Sequence, residues 1–315
     1  MKVFVAGASG AIGRQLVPKL VANGHEVVGM TRSEGKRDLL RGIGARPVVA
    51  DALDPEAVGR AVSEADPEVI VHELTAIPGT LNPRRLDRDF ETTNRLRTEG
   101  TDHLLSAARA AGARRFVAQS FAPLIYARTG GPVKTEEDPV DSRPPPGTRA
   151  TGAAIRRLER AVTEAGWVDG IVLRYGGFYG PGTSIAIDPD TEQIAAVRSR
   201  KFPIVGAGTG IWSFIHIEDA ATATAAAVER GAPGIYNVTD DEPAPVAEWL
   251  PGMAAALGAK PPRGVPKWLG RIVAGSAGVT MMTEMRGASN EKAKRELGWA
   301  PSYGSWRRGF AEGLR

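Results

Sequence analysis

The stretch "GASGAIG", Gly7 to Gly13, holds residues whose spacing has a direct chemical use. Glycines at 7, 10 and 13 let a backbone turn tightly and come close to a ligand. The helix that starts there offers unpaired N–H groups and a partial positive charge. That combination suits a pyrophosphate, so Gly7, Ser9, Gly10, Ala11, Ile12 and Gly13 are candidates to bind a dinucleotide. After the second strand, "MTRSEGKR" places Thr31, Arg32 and Ser33 where a carboxylate would hold the ribose hydroxyls of NAD. Arg32, with Arg14 and Lys36, can pair with a 2′-phosphate instead, which favours NADP (NADPH) over NAD. The plainer alternative for Arg32 is a solvated loop charge. Asp51, followed by Ala52 after the third strand, suits an adenine amino contact or a helix N-cap before Pro55.

Counts narrow the remaining chemistry. The chain has no cysteine, which excludes disulfides, thiolate nucleophiles and cysteine metal sites. His25, His72, His103 and His216 stand far apart in sequence, so no metal site is expected. A net charge of +4 over 315 residues, without a long basic run, argues against nucleic-acid binding. No apolar run approaches a membrane span and no signal peptide is evident. A cytoplasmic protein acting on a small molecule is expected.

The elements that must position these residues alternate. "KVFVAG", "HEVVGMT", "ARPVVAD", "EVIVHEL", "RRFVAQS" and "GIVLRYG" read as six strands, with helices between them. Two of these helices are long or amphipathic, over about 87–111 and 151–165. "IWSFIHIEDAATATAAAVERG" reads as one more strand and helix returning to the sheet. The expected class is α/β: a Rossmann-type doubly wound parallel sheet with a smaller, mostly helical C-terminal substrate domain. Residues 1–175 and 211–239 are assigned to the first, and 176–210 and 240–315 to the second.

At this point the sequence resembles the extended short-chain dehydrogenase/reductase family, the NAD-dependent epimerase/dehydratase group. The resemblance rests on "GASGAIG", "VHELTA" (with one extra residue), "TTNRLRTEGTDHLLSAARAAG", "RRFVAQS", "LRYGGFYGPG", "FIHIEDAA", "YNVTDDEP" and "SNEKAKRELGWAP", in order along the chain. It implies a cofactor contact at Leu74, Thr75 and Ala76, a structural role for Asn94, an active-site role for Ser120, and further cofactor contacts at Tyr175, Gly176 and Phe178. His216 falls in a position whose usual family role is structural. A family-type dimer through the two long helices is also implied.

The family moves hydride between nicotinamide and a carbon bearing oxygen. A tyrosine moves the proton, and a lysine one helical turn later lowers the tyrosine's pKa. Here the corresponding stretch is "RATGAAIRRLERAV". With Glu159 fixing the register, tyrosine falls on Thr151 and lysine on Ile155. Slipping by one gives Gly152 and Arg156. No tyrosine in the chain is followed by lysine at the fourth residue. Tyr126, just after Ser120, is therefore the leading substitute proton donor, and Arg156 or Arg157 a substitute cation for the cofactor. In "GAGTGIWSFIHIED", Trp212 stands where nucleotide-sugar members carry a diphosphate-binding arginine. With Phe121 and Tyr179 it suggests an aromatic substrate pocket, although packing at the domain joint is an equal reading of Trp212. The expected function is NADP(H)-dependent reduction of a small or hydrophobic non-nucleotide carbonyl-type compound. A silent nucleotide-binding protein and a redox-neutral lyase or isomerase are the alternatives.

Overall fold

The computed structural model describes residues 1–79, 81–187 and 190–315. Seven parallel strands form the central sheet: β1 (Lys2–Ala6), β2 (Glu26–Thr31), β3 (Arg46–Val49), β4 (Val69–His72), β5 (Arg115–Phe121), β6 (Asp169–Tyr175) and β7 (Gly234–Val238). Their spatial order is β7-β6-β5-β4-β1-β2-β3, so the chain winds outward from β1 in both directions. The strands are runs of valine, isoleucine and phenylalanine because both sheet faces are covered. Helices Ala11–Ala22 and Ile217–Glu229 cover one face, packing Leu16, Val17 and Leu20 beside an alanine-rich surface. Helices Pro55–Ala65, Thr101–Ala110 and Arg149–Thr163 cover the other, with Val58, Leu104 and Leu158 fully or almost fully buried.

Two expectations about elements are corrected. The strand read in "IWSFIH" does not join the central sheet; Phe214–His216 pairs with Gly177–Tyr179 as a separate two-stranded unit. The seventh strand is β7, pairing in parallel with β6 from Gly234↔Ile171 to Val238↔Tyr175. The long helix expected over 87–111 is interrupted. It consists of Leu86–Asp89, Glu91–Arg95, a π-helical turn Leu96–Gly100 and Thr101–Ala110. Thr98 and Thr101 hydroxyls donate to the carbonyls of Asn94 and Arg97 within this stretch, local bonds that favour such departures from the regular ladder. The wide turn carries Arg97 to a buried position, 4% exposed.

A third core forms apart from the sheet. Trp249, Trp306, Phe214, Phe310 and Tyr179 stack at ring distances of 5.2–5.6 Å, and Met253 and Leu250 fill between helices Val246–Ala256 and Trp306–Glu312.

Candidate functional site

The carboxyl ends of the parallel strands form one edge, and two unlike regions occupy it. The first is the glycine cradle. Gly7 has φ +95°, and a Cβ there would stand 2.6 Å from the Glu73 carbonyl oxygen. A Cβ at Gly13 would stand 2.5 Å from both the Gly7 and Ala8 carbonyl oxygens. Only glycine fits at either position, so β1, the turn and helix Ala11–Ala22 approach closely. Gly10 caps that helix without a side-chain bond, and no acid lies in its first turn. Its leading N–H groups are therefore available to an anion, the arrangement a dinucleotide pyrophosphate requires. Ile12 is buried in the core behind the turn, while Ser9 bonds Thr31 Oγ1 at 3.1 Å and ties the cradle to the end of β2.

Thr31 is buried and also accepts from the Ser33 backbone N–H, so its hydroxyl is structural. Arg32 is exposed and has no ion pair among the described residues. Arg14 does not accompany it: its Nη2 lies 2.7 Å from where a Cβ of Gly182 would be. Asp51 is exposed and accepts from Leu53 N, while Asp54 caps helix Pro55–Ala65 through bonds from Glu56 and Ala57. The N-cap reading of Asp51 is thus corrected by three residues. Ala52 is buried, and its carbonyl oxygen accepts from His103. Beyond β4, Leu74 N donates to His72 Nδ1, Ala76 N donates to Thr93, and Thr75 is exposed. Burial holds the His72 imidazole down to about 4, leaving it neutral and structural.

Sequence reasoning missed Glu73, which lies within "VHELTA". It is 5% exposed, its backbone carbonyl oxygen faces Gly7, and burial pushes its carboxyl up to about 8. Tyr175 donates to Glu73 Oε1 at 3.1 Å and shares a 2.6 Å bond with Thr224, while Glu73 Oε2 has no partner among the described residues. Tyr175 is therefore fully buried, with its hydroxyl committed to this interior chain. Phe178 leans on it at 5.3 Å, and Gly176 leaves no room for a Cβ, which would lie 2.8 Å from the Ser213 carbonyl oxygen.

The second region is a buried polar network across β5, β6 and β7. Strand register places Ser120, Arg174 and Asn237 side by side. The Arg174 guanidinium grips both Glu159 oxygens at 2.7 Å, and Ser120 Oγ donates to Glu159 Oε1 at 2.7 Å. Tyr126 completes the row: its hydroxyl donates to Asn237 Oδ1 at 2.6 Å and accepts from Arg174 at 3.0 Å. Glu136 accepts from the Asn237 backbone N–H. Lone polar residues inside apolar strands, "GIVLRYG" and "GIYNVT", were the available signal for Arg174 and Asn237.

This geometry revises the catalytic expectations. Ser120 is 1% exposed and bound to Glu159, so its hydroxyl supports the network. Tyr126 is 5% exposed, its hydroxyl is engaged by Asn237 and Arg174, and burial, opposed by Arg174, pushes its phenol up to about 12. Thr151, at the tyrosine position, is 1% exposed and accepts from Asn94 Nδ2. Ile155, at the lysine position, packs with Tyr126, Ile125, Ala122 and Phe121. Arg157 pairs with Asp102 on the surface, and the Arg156 guanidinium lies beside Gly152. Arg157 is thus engaged by an acid on the surface, whereas Arg156 is half-buried and forms no ion pair among the described residues.

The expected aromatic pocket is also redistributed. Tyr179 is fully buried in the third core, and the Trp212 indole donates to Met281 O and stacks on Trp249 at 4.9 Å; both pack the smaller unit. His216 is 2% exposed, burial holds its imidazole below the usual histidine range, and its Nδ1 caps helix Ile217–Glu229. A small cleft instead opens between Tyr126, Pro123 and Thr148 on one side and Thr280, Met281 and Met285 on the other. Among the described residues no cluster suits a metal ion, and no helix is long and apolar enough to cross a membrane.

A model of the NAD dependent epimerase/dehydratase family matches residues 3–239. A 3-diazoavenalumate denitrifying reductase of Streptomyces sp. is 50% identical over 98% of this chain and 99% of its own length. A 4-hydroxy-2-methyl-3-oxo-4-farnesyl-3,4-dihydroquinoline-1-oxide ketoreductase of Stigmatella aurantiaca is 28% identical over 82% of this chain and 74% of its own. Among solved structures, the UDP-glucose 4-epimerase of Thermus thermophilus in complex with NAD superposes with a TM-score of 0.73 at 27% identity, covering 100% of this chain and 98% of that one. The UDP-glucose 4-epimerase of Thermotoga maritima gives 0.78 at 22% identity over 100% and 97%.

Proposed function

Because the chain belongs to the NAD-dependent epimerase/dehydratase family and is an NAD(P)-dependent oxidoreductase, we propose that it is an NADPH-dependent reductase of aryl diazo compounds, releasing dinitrogen. The observation that carries the reading is the pair Thr151 and Ile155, one buried against Asn94 and the other in an apolar cluster. Carbonyl reduction places a hydride on carbon and a proton on oxygen, and a tyrosine beside a lysine serves the second step. An aryl diazonium needs no such acid. A hydride replaces the nitrogen on the ring, the carbon–nitrogen electron pair leaves with dinitrogen, and aryl–N2⁺ plus NADPH gives aryl–H, N2 and NADP⁺. The relative that is 50% identical along the whole chain carries a denitrifying name, which supports the same chemistry.

In this reading NADPH supplies the hydride. The glycine cradle would hold its pyrophosphate on the N–H groups of helix Ala11–Ala22, and Arg32 would pair with the 2′-phosphate. The Ser120–Glu159–Arg174–Tyr126 network keeps the wall of the site fixed rather than moving a proton. Tyr126, Met281 and Met285 line the small cleft beside this network.

The test gives purified protein NADPH and an ortho-hydroxyaryl diazonium salt, following nicotinamide absorbance and dinitrogen together. Equal consumption and release are expected, with NADPH preferred over NADH by about tenfold and that preference lost in Arg32→Ala, consistent with one charge-assisted phosphate contact. Tyr126→Phe keeps turnover within about threefold, as expected for a packing residue. Reduction of a matched aryl ketone but not the diazonium, with turnover lost in Tyr126→Phe, would restore the carbonyl mechanism.

A further inference from the structure

We propose that the segment Lys267–Ala274 is a docking arm for an anionic lipid surface. It is the first half of a helix that is broken at Gly275, where φ is +69°. Trp268, Ile272 and Val273 are 66%, 58% and 65% exposed, whereas no other large apolar side chain among the described residues exceeds the 46% of Ile77. The inner face is firmly seated. A Cβ at Gly270 would stand 2.5 Å from Val205 Cγ1, and Gly264–Val265 pairs with Ile204–Val205 immediately before the arm. The outward display of Trp268 and Ile272, one helical turn apart, is therefore a consequence of how the arm is anchored.

Charge selects the occupant. Between Glu248 and Glu284 the sequence has no acid and four cations, Lys260, Arg263, Lys267 and Arg271. All four are exposed, and none forms an ion pair among the described residues. On helical spacing Lys267 and Arg271 lie along one edge of the stripe made by Trp268 and Ile272. An apolar ridge containing tryptophan and edged by unpaired cations matches an interface with acyl chains below and anionic headgroups around it. A second copy of the chain is a poorer occupant. Two-fold pairing through this ridge would set the same four cations against their equivalents without any acid from the segment to offset them.

The test uses the full chain with vesicles of phosphatidylcholine alone or mixed equally with phosphatidylglycerol. Co-sedimentation is expected with the mixed vesicles and not the neutral ones, weakening as salt is raised. A blue shift of tryptophan emission should accompany it and vanish in Trp268→Phe. Replacing Trp268, Ile272 and Val273 with serine, or Lys267 and Arg271 with glutamate, should lower retention by about tenfold or more. Both variants should still bind NADPH, a readout that depends neither on the vesicles nor on which acceptor is reduced. Equal retention of wild type and variants, or equal binding to neutral vesicles, overturns the proposal. So does a dimer of the protein alone that the serine variant dissolves, since the ridge would then be a subunit interface.

Discussion

On the β1–β2 side of the sheet edge the chain places glycines; on the β5–β7 side it places charges. The cradle works by what is missing. Without side chains at 7 and 13, backbone groups approach within a distance no other residue permits, and helix N–H groups stay free. The opposite side is filled. Ser120, Glu159, Arg174, Tyr126 and the Asn237 side-chain oxygen bond one another in the interior, only Asn237 Nδ2 of this row lacking a partner among the described residues, and Ile155 packs at the end with apolar contacts. One side leaves backbone N–H groups free and the other commits its polar groups to a network. The glycine turn and the buried Thr151 and Ile155 thus lie on sides of the edge with opposite character.

The largest effect that would break this comparison comes from the filled side. Glu159→Ala removes the carboxylate that grips Arg174 and leaves a buried guanidinium uncompensated. Loss of one partner of such a pair costs about 3–5 kcal/mol, so chemical denaturation should show a large fall in stability. If stability held within about 1 kcal/mol, an exposed-pair value, the network would be loose enough to rearrange, and Tyr126 would regain its claim as a proton donor.

On the open side, Gly7→Ala should leave a folded protein with nucleotide affinity reduced about a hundredfold, nearly 3 kcal/mol, read by calorimetric titration. Both the positive φ and the Glu73 carbonyl oxygen oppose the new methyl group. Retained affinity would mean that the cradle can shift by several tenths of an ångström, and the contrast between an empty and a filled side would lose its physical basis.

The two sides also differ in how far they can be read from sequence. Gly7, Gly10 and Gly13 lie within one turn of chain, and the strand before and helix after them are local, so their use is legible before any fold is known. The parallel sheet was legible for the same reason, from short valine-rich runs at regular intervals. The network's bonds join residues up to 111 positions apart, as in the Tyr126–Asn237 bond, and strand register brings Ser120, Arg174 and Asn237 together. Tyr179 and Trp212 show the converse, and for Trp212 the packing reading is the one that matches its contacts. Aromatic residues near a family's substrate loop suggested a pocket, but a small C-terminal unit needs a core, and these rings supply it. Glu159 served the sequence reading only as a marker of register; its partner, Arg174, became visible when β6 was laid beside β5.

Glu73 is the exception on the open side, a buried carboxyl on the residue whose carbonyl meets Gly7, and it yields a test that needs no ligand, with an effect spread over several pH units. Burial raises its folded pKa from 4.5 to about 8, with the Tyr175 hydrogen bond opposing the shift. Between those values the unfolded chain releases the proton while the folded chain keeps it. Stability is therefore fully present below pH 4.5, falls as pH rises, and levels off once the folded pKa near 8 is passed. The limiting slope is about 1.4 kcal/mol per pH unit from one such group. Denaturation midpoints measured from about pH 5 to 9 should show this decline in the wild type, and Glu73→Gln should flatten it while keeping an uncharged side chain of similar size. An identical slope in the variant would show that Glu73 is already ionised at neutral pH. The residue whose carbonyl meets Gly7 would then carry a negative charge, and the preference for an anionic pyrophosphate would rest on the helix N-terminus against that charge rather than beside a neutral carboxyl.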